Sequence, residues 1–341
     1  MHSKIKYFLI FSIFFYSFSE FFIRWVGPNI FSFMYEIDYV FNQVKKNDLF
    51  LDSWSMDNKQ NFEKKIGWMK KIEDKIYDQL NENNKYNISI IGSSNGDERK
   101  TVDNNKIAYI DIFRRNLDNK IYEVINHSIG NHGFYQLAYT AEEVSKKYKI
   151  DQLIVATVAH TLSRPGKNYM SFMIRPTYKI INQELIIKEN DYNMKKIIYN
   201  YTNAKKYFYV SPWLINFFYE NRRYYFANFY KNFYKSVYKN SFIKISKAAK
   251  LNNSNATIVL LPSYFKFKHK KLFKELFIST LNEHKKELGI NFFNIDLCVQ
   301  EYFILNNESF KEHSSPVHPG NLTHEAWGVC LGKKIFKGNW K

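Results

Sequence analysis

Cysteine is scarce, with two residues in a chain of 341. That excludes a mini-domain stapled by disulfides. Cys298 and Cys330 have neither CxxC nor Cys/His ligand spacing around them, so they read as two small buried hydrophobes. Beyond the N-terminus no long apolar run occurs, which excludes a polytopic membrane protein. Internal repeats are missing as well. Arginine supplies only 8 of the 50 basic residues, while Asn, Ile, Tyr and Phe are used heavily. This is the composition of an A/T-biased coding sequence, so part of the net charge of +18 reads as drift spread over solvated faces. RNP, OB, helix-turn-helix and zinc-finger signatures are absent, and nucleic acid is not an expected partner. What is present is apolar mass. At 45% hydrophobic residues the chain is no disordered polymer, and its length allows one large domain or two modest ones.

The first residues read MHSKIKYFLIFSIFFYSFSEFFIRWVGPNIF. From Tyr7 to Ser19 no residue is charged, and apolar character resumes after Glu20 as far as Ile23, giving 17 residues before Arg24. A span needs about 20 residues, with a lower limit near 17. Lys4 and Lys6 precede the run, as the positive-inside rule requires, and no small-x-small cleavage site follows it. The expectation is an uncleaved single-pass anchor over 1–29, with the remainder periplasmic or extracellular. A cleaved signal peptide and an amphipathic helix lying on the membrane are the alternatives.

Residues 30–85 have helical spacing, with Phe62, Ile66, Met69, Ile72 and Ile76 recurring every three or four positions, and read as a helical juxtamembrane spacer. The texture then changes. NISII (87–91) is a short buried strand stopped by Gly92; YEVIN (122–126) is a second; DQLIVATVAH (151–160) is the continuous apolar run of a central parallel strand. Helical stretches near 105–118 and 134–148 lie between them. A Tyr/Phe/Lys/Asn-rich block at about 164–250 reads as a helical insertion whose aromatics pack on the core; a groove for a saccharide or lipid is the second reading. Alternation resumes with ATIVLLP (256–262), a helix at 269–287, GINFFNIDL (289–297) and a last helix over 323–336. This pitch predicts an α/β domain over 86–341, a flavodoxin-like three-layer sandwich around a parallel sheet.

In such a sheet, ligands bind beyond the carboxyl ends of the strands. Gly92-Ser93-Ser94-Asn95-Gly96 follows the first strand, Asn126 to Gly133 the second, and His160-Thr161 the third. Ser314-Ser315-Pro316-Val317-His318-Pro319-Gly320-Asn321 precedes the last helix. These loops supply serines, glycines and histidines but no dense carboxylate cluster, which points to acyl transfer by serine more than to metal or glycosidase chemistry.

GSSN after a strand, then YEVINHSIGNHGFYQ, KIDQLIVATVAHTLSR and PVHPGNLTHEAWG, resemble the ordered blocks of the SGNH (GDSL-type) hydrolases and acyltransferases over roughly residues 85–340. The resemblance implies that Ser94 is the nucleophile, with Ser93 in the place of the family aspartate, and that His318 is the general base and acid. It implies an oxyanion site from the Ser94 amide, Gly130 or its neighbour Asn131, and His160, which stands where the family has asparagine. Ser315 takes the place of the family's third triad residue; a backbone carbonyl or Glu312 are other partners for the histidine. His324 is expected to pack or cap at the start of the last helix. No cofactor or metal is implied. The expected activity is that of a membrane-anchored serine esterase or O-acyltransferase on acyl esters of a glycan or lipid. The rival is a catalytically silent SGNH-like domain that binds a glycan or a partner protein in an envelope assembly.

Overall fold

The computed structural model describes residues 2–30, 60–63, 67–70, 74–82, 84–96, 108–130, 132–166, 169–170, 173–174, 177–181, 184–188, 226–263, 268–313 and 319–336. The chain begins with α1 (His2–Ile30), the hairpin strands β1 (Gln60–Glu63) and β2 (Gly67–Lys70), and α2 (Asp74–Glu82). It continues through β3 (Tyr86–Ile91), α3 (Tyr109–Arg115), β4 (Tyr122–Asn126), α4 (Phe134–Ser145), β5 (Gln152–Val158) and α5 (Ala159–Leu162). Two short pairs follow, β6 (Tyr169–Met170) with β7 (Met173–Ile174), and β8 (Thr177–Ile181) with β9 (Glu184–Lys188). The last part holds α6 (Lys231–Leu251), β10 (Asn255–Leu261), α7 (Lys268–Leu288), β11 (Ile290–Asn294), α8 (Asp296–Leu305), α9 (Phe310–His313) and α10 (Asn321–Phe336).

Five strands form one sheet in the order β4-β3-β5-β10-β11, and every neighbouring pair is parallel. In chain order this is 2-1-3-4-5, the flavodoxin-like arrangement. The central strand β5 is buried at all seven positions, as expected of a parallel strand covered on both faces. Its side chains alternate between two cores. Leu153 and Val155 pack with α2, α4, α6 and α7, whereas Ile154, Ala156 and Val158 pack with α3, α8 and α10. Three layers result. The aromatic side of the first core is built edge to face, with the Phe134 ring 4.7 Å from Phe277 and that of Phe242 5.2 Å from the same ring.

Three expectations need correction. The spacing over Phe62 to Ile76 predicts a helical spacer, yet β1 and β2 pair antiparallel with Phe62 in register with Trp68, and the helix begins only at Asp74. Over so few residues an apolar position every third or fourth place fits either period. The helical insertion ends earlier than 250. Residues 231–251 are the crossover helix between β5 and β10, which parallel strands require, and the stretch before it contains two antiparallel pairs. Tyr234, Tyr238 and Phe242 of α6 point into the core while Lys231, Lys239, Lys247 and Lys250 are exposed. The aromatics therefore do pack inward, but as part of the layer itself.

The third correction concerns the cysteines. Cys298 of α8 and Cys330 of α10 form a disulfide with Cα atoms 5.8 Å apart. The two helices lie side by side in one layer, and that crossing pairs residues separated by 32 positions, a relation that local spacing does not carry. Closing a loop of that length removes unfolded-state entropy corresponding to about 4 kcal/mol. Replacing both cysteines by alanine should lower unfolding free energy by about that amount in denaturant titrations. Thiol titration of the native chain should find no free sulfhydryl.

Candidate functional site

The chain leaves β3 in the middle of the sheet, goes to β4 on one side, and returns to β5 on the other. The carboxyl ends of β3 and β5 therefore flank the topological switch point, where an open sheet leaves a crevice. Gly92 to Gly96 follow β3 there. The Gly96 N–H donates to Ser93 O at 2.9 Å, so Ser93 to Gly96 form a closed turn. Ser94 is 6% exposed, and its Oγ has no hydrogen-bond partner among the described residues. Ser93 differs. Its Oγ accepts a hydrogen bond from Thr161 Oγ1 at 3.2 Å, which ties the turn to α5.

Three hydrogen bonds join the end of β4 and its loop to β3 and this turn, and a fourth braces the loop itself. His127 N–H donates to Ile90 O at 2.8 Å, and Ile129 N–H to Gly92 O at 3.1 Å. Asn126 Nδ2 donates to Gly96 O at 2.8 Å, while Asn126 Oδ1 accepts from Ser128 N–H at 2.9 Å. Ser128 fills the space in between. A Cβ on Gly92 would lie 2.8 Å from Ser128 Oγ, and one on Gly96 only 2.4 Å from that atom. Both glycines are thus required by close approach.

The structure brings Ser94, Gly130 and His160 to this one edge. Gly130 is buried in the loop after β4. His160 lies in the first turn after β5, half-buried, with its carbonyl accepting from Ser163 Oγ at 2.9 Å. Arg164, 3% exposed, donates from Nη1 to His132 O at 2.5 Å and so links the loops after β5 and β4. Asn131, Ser315 and His318 lie outside the described residues.

Two other histidines have structural partners. His127 Nε2 lies 3.0 Å from the Tyr148 hydroxyl, and its ring stacks near Tyr77, on the side of α2 and α4. Burial pushes the Tyr148 phenol well above its ordinary value, so it stays neutral and can donate. His324 Nδ1 accepts the Tyr109 N–H at 3.3 Å, which assigns the ring proton to Nε2 and caps α3, whose N-cap Ala108 has no side chain to do so. His324, expected to pack or cap at the start of the last helix, does pack there, against Tyr109 and Trp327, but the helix it caps is α3. Through this contact the first turn of α10 reaches the site edge, because the Tyr109 hydroxyl lies 3.1 Å from where a Gly92 Cβ would stand. Burial raises the Tyr109 phenol strongly, with the neighbouring Ser128 hydroxyl acting the other way.

Among the described residues no group of three or more His, Cys, Asp or Glu side chains could hold a metal ion. Sequence reasoning missed Asn126, Ser128, Tyr109, Thr161 and Arg164. The available signal was weak: a polar residue closing each apolar strand.

A five-stranded parallel sheet in the order 2-1-3-4-5, with a serine turn at its switch point, decides the fold. It is flavodoxin-like. No family model matches the chain, and no curated protein matches it. Among solved structures it is similar to a putative acylhydrolase from Bacteroides fragilis, at 10% identity and TM-score 0.42, over 78% of this chain and 95% of that one. A member of the lipolytic G-D-S-L family from Veillonella parvula overlaps at 10% identity and TM-score 0.40, over 74% and 98%. A tail fibre protein of an E. coli phage overlaps at 13% identity and TM-score 0.41, over 78% of this chain and 28% of the phage protein. Overlaps at this level say nothing of substrate or activity.

The close approach in the serine turn can be measured. Gly92→Ala should destabilise the protein by about 1–3 kcal/mol, the range for overpacking. Ser128→Ala should recover part of that loss, since it deletes the nearest atom and leaves the Tyr109 hydroxyl at 3.1 Å and Ser128 Cβ at 3.6 Å. Additive losses in the double-mutant cycle would show that the contact is not the cause.

Proposed function

We propose that the chain is a membrane-anchored serine esterase or O-acyltransferase acting outside the cytoplasm on acyl esters of a glycan or lipid. The observation that carries the reading is the pair of adjacent serines at the switch point. Ser93 is engaged by Thr161, whereas the Ser94 hydroxyl is left uncommitted among the described residues. A sharp strand-to-turn geometry presents such a hydroxyl to the crevice.

In this reaction Ser94 Oγ attacks the ester carbonyl and His318 takes its proton. The carbonyl oxygen becomes an oxyanion, held by the Ser94 amide, by Gly130 or Asn131, and by a ring N–H of His160. Collapse breaks the ester C–O bond, and the histidine gives its proton to the leaving alkoxide. Water or an acceptor hydroxyl then takes the acyl group from Ser94 by the same steps in reverse. The fastening of Tyr109 to His324 supports the role of His318, because it ties the start of α10, a few residues from that histidine, to a tyrosine whose hydroxyl approaches Gly92.

Location is supported by two features. The Cys298–Cys330 disulfide belongs to oxidising compartments. Along α1 the apolar side chains from Tyr7 to Phe22 are exposed, Tyr7 at 73% and Phe8 at 70%. Such a surface is stable in an apolar phase, not in water. Among the described residues no helix is long and apolar enough to cross a membrane, yet the 29 residues of α1 measure about 43 Å against a hydrocarbon core of about 30 Å.

Two measurements test the reading. Ser94→Ala should abolish p-nitrophenyl acetate hydrolysis with folding intact, and a fluorophosphonate should label Ser94 in the parent. Equal turnover in the variant would remove the nucleophile assignment. Turnover at the buffer rate in the parent, with saturable polysaccharide binding, would favour the silent domain. For the anchor, alkaline carbonate should leave the full chain in the membrane pellet. Release into the supernatant would instead indicate a helix lying on the surface.

A further inference from the structure

We propose that Asn126 is a positioning residue for the Ser94 reaction, its side-chain amide setting the nucleophile turn against the loop that carries Gly130. The proposal rests on the esterase reading and adds a residue to it. Asn126 is 3% exposed at the end of β4, in register with Ile90 of β3. Its amide uses both of its chemistries at once. Nδ2–H reaches across to the carbonyl of Gly96, the last residue of the serine turn, and Oδ1 reaches forward to the N–H of Ser128. One planar group thus sets the separation of two loops. The same turn presents the Ser94 amide and hydroxyl, so a shift of the Gly96 carbonyl moves a donor and a nucleophile together. Two further ties between these segments, His127 N–H to Ile90 O and Ile129 N–H to Gly92 O, are backbone bonds, which no side-chain change removes.

Asn126→Asp is the discriminating substitution, because shape is kept and only the donor is lost. The carboxylate still accepts from Ser128 N–H, but its second oxygen faces the Gly96 carbonyl, and two acceptors at hydrogen-bond distance repel. Protonation reverses this, since the carboxyl O–H then donates to Gly96 O. Burial and the facing carbonyl both favour the neutral acid, so the group titrates above the usual carboxylate range. The sign follows directly: the tie is present below that pKa and is lost as pH rises through it. Parent activity, which needs neutral His318 as base, falls in the opposite direction, toward acid.

With p-nitrophenyl acetate as probe, Asn126→Asp should show kcat about 10²-fold below the parent at about pH 8, the scale of loss for an ångström of misplacement, with KM little changed. The deficit should shrink as pH falls to about 5. Asn126→Ala, with no proton to gain, should keep a constant deficit. If the carboxylate prevents folding at pH 8, circular dichroism and fluorophosphonate labelling should both return at pH 5. Parallel pH profiles for Asn126→Asp and parent, or no return of fold and labelling, would overturn the proposal. A parent without turnover, or one matched by Ser94→Ala, would sink the esterase reading instead.

Discussion

Two parallel strands, β3 and β4, end at the same level, and the loops that follow them meet across the side chains of Asn126 and Ser128. This approach is the constraint on which the site depends. Of the positive-φ residues in the described chain, Gly289 is the one glycine, at +65° with nothing within 4 Å of a Cβ placed there. It serves conformation alone, ending α7. Gly92 and Gly96 have no such φ, and each would drive a Cβ into Ser128. They serve space alone. A serine turn on a longer leash would still carry a hydroxyl, but its amide would have no fixed relation to the loop holding Gly130.

The same edge distinguishes its histidines by what holds them. His127 turns away to Tyr148, and His324 has its Nδ1 committed to the Tyr109 N–H. An imidazole whose nitrogens are engaged in structure is poorly suited to shuttle a proton. Those two residues are therefore part of the frame. The burial that keeps Tyr148 and Tyr109 neutral matters here, because a phenolate beside either ring would pull protons toward itself and change which nitrogen donates.

Strands were legible where burial on both faces makes apolar runs continuous, as in NISII, YEVIN, DQLIVATV and ATIVLLP. The observed bounds differ from these by a residue or two. The serine turn and the loops after β4 and β5 were legible because glycine and serine interrupt such runs abruptly. What was illegible depended on partners distant in sequence. The helix 231–251 has the same aromatic and lysine texture as the residues before it, and only its packing on α4 and α7 shows it to be a crossover. The bond between Cys298 and Cys330 required knowing that α8 and α10 are neighbours. Asn126 looked like one more polar residue at a strand end; the Gly96 carbonyl and the Ser128 N–H that its amide meets are backbone groups, which leave no mark in a side-chain pattern.

That disulfide bears on more than stability. Residues 306–320 connect α8 to α10, and the block resembling the family's base motif lies within this connection. Its two flanking helices are joined covalently at Cys298 and Cys330, while the N-terminal turn of α10 is held at the site edge by His324 on Tyr109. Under the proposed reaction, a connection with tied ends has fewer conformations to lose in bringing His318 to Ser94. The sheet positions the serine through backbone hydrogen bonds and close packing. The disulfide and the His324–Tyr109 hydrogen bond tie down the helices on either side of the proposed base.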